Sequence, residues 1–363
     1  MKIGGEFEYK EYEKLPESSL YEYLLKRFLY IYFFFSGRSA LYSLVKNIVN
    51  KTEGISAVYL PAYLCESIYL PIKEAIGKSA IKMTFYTQNE KFCSNIENIM
   101  TDNSIVYILD YFGKIDKPFL NKLRKFKEQH SNVILIRDIT HSLFNEEYSL
   151  DVDYYICSLR KWIFLPDGAF IASNSREIKK PLKIADNKYI QARIVASMLK
   201  RLNAISNSNV FKDRYYLSIF QFCEEKLNEY FKDVEISKFS LGLLHKIDYK
   251  CLIKRRNKNK EYLLGKISKF REFSVINGDF SFFVVPILFK QGKDRNSLRK
   301  KLADLDIFLP IHWPIEWQKN INKDIYYHNR NVSDRILSFV IDQRYEEREM
   351  EYQVNAIKKV VGK

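Results

Sequence analysis

The chain reads as an α/β protein with a mostly parallel mixed sheet between helices, followed by a smaller C-terminal α+β domain. Three observations predict this. Over the first two-thirds of the 363 residues, short apolar runs alternate with helical patterns, the signature of strand–helix–strand units. From about Ser175 to Tyr230 the pattern turns helical, with few turn signals. After about Phe270 it returns to short strands and helices. We read a large domain over 1–245, carrying a helical insertion over 175–235, and a small domain over 246–363.

Taken in order, FLYIYFFF (Phe28–Phe35) is apolar but far short of the roughly 18–20 residues a membrane span needs. SGRSALYSLV (Ser36–Val45) looks like a helix start. AVYLP (Ala57–Pro61), AIKMTFY (Ala80–Tyr86), SIVYILDYFG (Ser104–Gly113), NVILIRD (Asn132–Asp138), DYYICS (Asp153–Ser158) and GAFIAS (Gly168–Ser173) read as buried strands. CESIYLPIKEAIG (Cys65–Gly77) and KPFLNKLRKFKEQH (Lys117–His130) read as helices between them. A second helical block covers Phe239–Ile267. FSFFVVPILF (Phe280–Phe289), RNSLRKKLADLDIFLP (Arg295–Pro310), DRILSFVIDQRY (Asp334–Tyr345) and a final helix complete the small domain.

Composition narrows the class. At 47% hydrophobic and 15% aromatic the chain is globular rather than disordered. The opening MKIGGEFEYKEYEK has no apolar signal-peptide core. Five cysteines (Cys65, Cys93, Cys157, Cys223, Cys251) form no CxxC pair, which suggests a reducing cytoplasm without disulfides or a zinc site. Lys+Arg 59 against Asp+Glu 44 gives a net charge of +15, which permits a polyanionic partner. The charge is dispersed, however, and no nucleic-acid motif accompanies it. The one dense cluster, IKRRNKNK (Ile253–Lys260), reads as a solvated helix face.

Chemistry concentrates in ICSLRKWIFLPDGAF (Ile156–Phe170). Lys161 stands between apolar segments, just beyond a buried strand, where α/β sheets bind ligands. Lysines are usually exposed, but a desolvated lysine attacks carbonyls and forms Schiff bases. Pyridoxal 5′-phosphate (PLP) is the usual carbonyl cofactor. It requires an acid at its ring nitrogen and a phosphate cradle. Asp138, at the end of an apolar strand, suits the first role, or else caps the next segment. The Ser36–Val45 helix start suits the second, through free N–H groups and the helix dipole. Ser158 offers a further hydroxyl.

These residues carry a resemblance. SGRSAL, LPAYLC, LDYFG, RDITHS, SLRKW with PDGA, and DQRY occur in the order seen in the DegT/DnrJ-type family of PLP-dependent sugar aminotransferases, within the fold-type I (aspartate aminotransferase) superfamily. The likeness covers most of Gly37–Ser173 and returns weakly at the C-terminus. It implies that Gly37, Arg38 and Ser39 bind the cofactor phosphate, with arginine where a small hydroxyl residue is common. It implies that Asp138 lies under the pyridine nitrogen, His141 reaches the phenolic oxygen, Ser158 helps with the phosphate, and Lys161 forms the Schiff base. Cys65 stands where an aromatic often stacks on the ring, and Tyr63 is the alternative. His312 and Arg344, in the small domain, are substrate candidates; Arg344 could equally pair with Asp342 or Glu346.

The chain departs from the family in its few glycines and in the Ser175–Tyr230 block. The resemblance implies a cytoplasmic homodimer moving an amino group from an amino acid, glutamate, to a nucleotide-linked keto sugar, in pathways such as polysaccharide synthesis. The alternatives are a PLP-dependent sugar dehydratase, although dehydratases of one type carry histidine at the lysine position, and a non-catalytic protein retaining the fold.

Overall fold

The computed structural model describes residues 2–12, 15–95, 101–130, 132–145, 152–206, 213–229, 231–276 and 282–362. Strand β1 (Ile3–Gly4) and helix α1 (Leu20–Arg27) precede β2 (Tyr30–Phe34), α2 (Gly37–Lys51), β3 (Ala57–Pro61), α3 (Glu66–Ile76), β4 (Lys82–Gln88), β5 (Ser94–Asn95), β6 (Ser104–Leu109), α4 (Lys117–Gln129), β7 (Ile134–Asp138), β8 (Tyr154–Cys157) and β9 (Ala169–Ser173). Strands β2–β9 form one sheet in the order β2-β9-β8-β7-β6-β3-β4-β5. The central strands β8, β7, β6, β3 and β4 are parallel neighbours, while β9 runs antiparallel to both β8 and the edge strand β2. Every residue of β3, β6, β7 and β8 is buried, as expected of strands covered on both faces.

Two local readings shift. The Phe28–Phe35 run, noted only as too short to span a membrane, supplies the edge strand β2. The Ser104–Gly113 strand ends at Leu109. Tyr111–Gly113 is a 3-10 turn with Phe112 at φ 54°, so the chain bends over the end of the sheet.

Beyond β9 come α5 (Asn187–Ile205), α6 (Arg214–Glu229), α7 (Lys238–Lys246) and α8 (Tyr249–Ile267). The Phe239–Ile267 block breaks at Ile247–Asp248, where the Asp248 carboxylate accepts the Cys251 N–H at 3.0 Å and caps α8. Then follow β10 (Phe273–Val275), β11 (Val284–Phe289), α9 (Arg295–Ala303), β12 (Ile307–Phe308), α10 (Lys323–Ser333), β13 (Ile336–Val340) and α11 (Glu347–Val361). An antiparallel sheet, β10-β11-β13, packs against α8 and α11 around Leu263, Val285, Phe339, Met350 and Ile357. The larger core follows the main sheet and reaches this unit through Phe283, Val284 and Ile336. Among the described residues, no helix is long and apolar enough to cross a membrane, and all five cysteines are free.

The basic cluster on α8 is only partly a solvated face. Arg256 is 1% exposed. Its guanidinium donates to the carbonyls of Phe282 and Phe283 (both 3.0 Å), the carbonyl of Trp162 (2.9 Å) and Gln343 Oε1 (2.8 Å). Burial lowers its pKa to about 10, and four acceptors hold it in place. It ties the small sheet to the residue after Lys161.

Candidate active site

The site is built at the carboxyl ends of the parallel strands. Asp138 is the last residue of β7 and 7% exposed. Tyr107, on the neighbouring β6, donates its hydroxyl to Oδ2 at 2.5 Å, and the Thr140 N–H donates to Oδ1 at 2.8 Å. Burial raises the Asp138 pKa, and these donors moderate the rise. Thr140 also accepts the Ser158 N–H on its hydroxyl (3.0 Å) and the Trp162 indole N–H on its carbonyl (2.6 Å). One short loop thus fixes Asp138 relative to the lysine segment. Neither Tyr107 nor Thr140 was singled out in the sequence. The D-x-T spacing was a readable signal for the second; the cross-strand partner had none.

Lys161 lies in the 3-10 turn Leu159–Lys161 that follows β8, with Ser158 as its cap. It follows a buried strand, as expected, but the expectation of desolvation is corrected: the residue is exposed. The turn is rigidly held. Gly168 O accepts from Leu159 N (3.1 Å) and Arg160 N (3.4 Å). Gly168 itself has φ +144°, and a Cβ there would meet Leu165 Cδ1 at 3.1 Å, so glycine is required. The adjacent Asp167 is fully buried and accepts from the backbone and hydroxyl of Ser237 (2.6 Å each) and from Ser240. Burial raises its pKa to about 6.

Helix α2 begins beside this turn. The Ser36 hydroxyl caps it by accepting the Ser39 N–H at 3.1 Å, leaving the first N–H groups, Gly37 and Arg38, without an intrahelical partner. A Cβ on Gly37 would stand 3.5 Å from Ser158 Cβ, so helix start and Ser158 touch. Ser39 is turned elsewhere. Its hydroxyl donates to Val234 O (3.0 Å) and accepts Val234 N–H (2.9 Å), so it anchors the chain behind α2 rather than presenting a free hydroxyl.

The two stacking candidates separate. Tyr63 is buried, and its hydroxyl donates to His312 O (2.7 Å) and accepts Trp313 N–H (2.8 Å), which ties the end of β3 to the chain after β12. Cys65 stands just before α3, its thiol 3.0 Å from the Ser67 hydroxyl; burial raises the thiol pKa, and the nearby charges of Lys161 and Arg38 oppose the rise. His141 is buried and stacks on Phe283 (4.4 Å), near Trp313 (5.5 Å) and Phe112 (5.6 Å), accepting the Phe112 N–H on Nδ1 (3.3 Å). His312 pairs through Nδ1 with the Ser338 hydroxyl (3.0 Å). Burial and then the Lys161 charge lower its pKa to about 3, and His141 is likewise lowered by burial, so both imidazoles are neutral near Lys161.

Arg344 is not open to a substrate. Its guanidinium is paired with Asp342 through Nε (2.9 Å) and Nη2 (2.8 Å), and donates to the carbonyls of Glu6 (3.0 Å) and Gly5 (3.3 Å). The Asp342 alternative is the one observed.

No family model matches the chain. Over 196 residues it is 24% identical to a polyribonucleotide nucleotidyltransferase of Karelsulcia muelleri, covering 49% of this chain and 27% of that protein. The chain thus spans about a quarter of the length of the curated protein it matches. Solved structures resemble it along almost its whole length. Helicobacter pylori PseC, an aminotransferase involved in the biosynthesis of pseudoaminic acid, has a TM-score of 0.63 at 12% identity, with 99% of each chain covered. Bacillus subtilis NtdA, with bound cofactor PMP, has 0.63 at 13%, covering 99% of this chain and 79% of that one. The E. coli GDP-4-keto-6-deoxy-D-mannose-3-dehydratase, with bound hydrated PLP, has 0.62 at 14%, covering 99% and 100%. The architecture of this chain, with its mostly parallel sheet and its small C-terminal sheet, is the fold of these solved structures, two aminotransferase-type proteins and a dehydratase.

Proposed function

We propose that the protein is a PLP-dependent aminotransferase that moves an amino group from an amino acid, glutamate, to a nucleotide-linked keto sugar, as a cytoplasmic homodimer. The observation that carries this reading is the meeting of the α2 start, Ser158, Asp138 and the Lys161 turn at one end of the sheet. The donor set fits the cofactor: unpartnered N–H groups and a hydroxyl for phosphate, a buried carboxylate for the ring nitrogen, and an amine for the aldehyde.

When bound, the cofactor supplies an aldehyde for amine exchange and a ring that withdraws electrons. The backbone N–H groups of Gly37 and Arg38 and the Ser158 hydroxyl would bind its phosphate. Asp138, oriented by Tyr107 and Thr140, would hold a proton on the ring nitrogen. Lys161 Nζ would anchor the cofactor and, when freed, carry a proton to and from the substrate carbon that bears nitrogen. Cys65 would border the ring, His141 would reach toward its phenolic oxygen, and Phe283 and Trp313, packed on His141, would exclude water.

A dehydratase is the second reading, because one shares the fold; Lys161 favours transamination. The test is borohydride reduction of purified protein, followed by peptide mapping. The added mass should fall on Lys161, and Lys161→Ala should lose amino transfer from glutamate while still binding PLP. Label on another lysine, or unchanged turnover in Lys161→Ala, would sink the proposal.

A further inference from the structure

The helical insertion turns one face toward the site. Arg160, the residue before Lys161, donates from Nη2 to Glu224 Oε1 on α6 at 2.6 Å. Arg193, on α5, donates from Nη1 to the same oxygen (3.1 Å) and from Nη2 to Glu6 Oε2 (2.8 Å). Burial pushes the Glu224 pKa up, but Arg160 and Arg193 overcome it and hold the carboxyl at about 2. Arg38 joins from α2: it feels Glu224, Arg160, Cys65 and Tyr189, and makes no ion pair among the described residues.

The cluster is not internally balanced. Three guanidinium groups face two carboxylates, with Lys161 adjacent. Four buried polar atoms lack a hydrogen-bond partner here: Nε of Arg38, Arg160 and Arg193, and the Tyr189 hydroxyl. Arg193 and Tyr189 are each only 4% exposed. Buried donors and unmatched charge are costly, and native proteins rarely leave them so. Guanidinium N–H groups suit carboxylate and phosphate oxygens.

We propose that Arg38, Arg160, Arg193 and Tyr189 form an anion subsite beside Lys161, and that α5 and α6 exist in this chain to build it. The subsite receives an oxyanion of a substrate, either the carboxylate of the amino donor or a phosphate of the acceptor. Glu224 and Glu6 are positioning residues that hold the arginines and do not touch the ligand. The assignment rests on Lys161 marking the reaction centre, as proposed above.

Calorimetry on cofactor-free protein tests it with glutarate and with pyrophosphate as probes. At least one should bind. Preference for glutarate identifies the donor carboxylate, and preference for pyrophosphate the acceptor phosphate. Arg193→Gln should weaken that binding at least tenfold. Tyr189→Phe, which removes only a hydroxyl and should leave the circular dichroism spectrum unchanged, should weaken it severalfold. Protein carrying borohydride-fixed PLP should still bind the probe. Absence of binding, unchanged affinity in both variants, or loss of binding once PLP is fixed (the anion being then the cofactor's own phosphate) would each overturn the proposal. Probe binding needs no turnover, so failure here leaves the Lys161 mapping intact, and failure of that mapping leaves probe binding intact.

Discussion

Two buried carboxylates stand at the ends of neighbouring strands, and they are treated differently. Asp110, just after β6, is 2% exposed and receives Arg137: Nε lies 3.0 Å from both oxygens, Nη2 lies 2.8 Å from Oδ2, and the Ser142 hydroxyl adds a bond at 2.5 Å. Asp138, the next residue after Arg137, points to the other face of its strand, and its donors among the described residues, Tyr107 and Thr140, are neutral. A cation completes the first inside the fold. The second is oriented but not neutralised, the arrangement expected of a carboxylate that meets its cation in a ligand. The parity of β7 therefore sends Arg137 to one face, where it pairs with Asp110, and leaves Asp138 on the other without a cation.

The comparison can be broken most forcefully at the structural pair. Arg137→Met leaves Asp110 buried and uncompensated, which should cost about 3–5 kcal/mol in urea unfolding; a loss below about 1 kcal/mol would show that the pair is not what distinguishes the two sites. Asp138→Asn should do the reverse. Stability should stay within about 1 kcal/mol of wild type, while kcat for amino transfer falls about 100- to 1000-fold, the scale of losing one preorganised electrostatic contact. Parental turnover in this variant would remove Asp138 from the chemistry.

Acidity sharpens the contrast. Burial raises the folded-state pKa of Asp138, so the folded cofactor-free protein holds that proton more tightly than the unfolded chain does. Its contribution is present below the ordinary carboxylate range and lost as pH rises through the raised value. Cofactor-free Asp138→Asn should lack this decline, so the stability difference between variant and wild type should drift in the variant's favour as pH rises from acid toward neutral. A flat difference would mean the carboxyl is not raised. The smallest effect is expected from Tyr107→Phe. It deletes one donor to Asp138, costs about 1 kcal/mol, and should move the acid limb of the pH–rate profile upward, because that hydrogen bond helps keep the carboxylate ionised. An unmoved limb would detach Tyr107 from the site.

Much of this was legible in the sequence because it is local. Asp138 ends an apolar strand, Lys161 follows the next, and Pro-Asp-Gly closes the turn beyond it. The helix start at Ser36–Gly37 carried its own capping signal. What escaped is non-local or depends on direction. The Phe28–Phe35 run has strand composition, but nothing nearby reveals that it lies antiparallel to β9. Arg256 sits in a basic cluster whose composition speaks of solvent, yet helix phase turns that one residue inward onto Trp162. Ser39 and Arg344 have the right residue types for ligands, and the fold has claimed both, through Val234 and through Asp342. Arg193 and Glu224 gain meaning only when two helices of an unfamiliar block meet the residue beside Lys161.

The segment from Ile3 to Tyr9 has a consequence for how the chain comes into being. Ile3 pairs with Ile307, Gly4 N–H donates to the Tyr345 hydroxyl, and the Glu6 carbonyl accepts from Lys200 (2.5 Å) and from Arg344, 338 residues away in sequence. On a ribosome this segment emerges well before Ile307, Arg344 and Tyr345 do. The main sheet can assemble while the segment waits, because contacts at such separation close only after the intervening chain has ordered. Nascent chains halted before Ile307 should therefore be cleaved by protease near Phe7, and finished chains should resist; equal resistance in both would mean that α5 alone secures the segment.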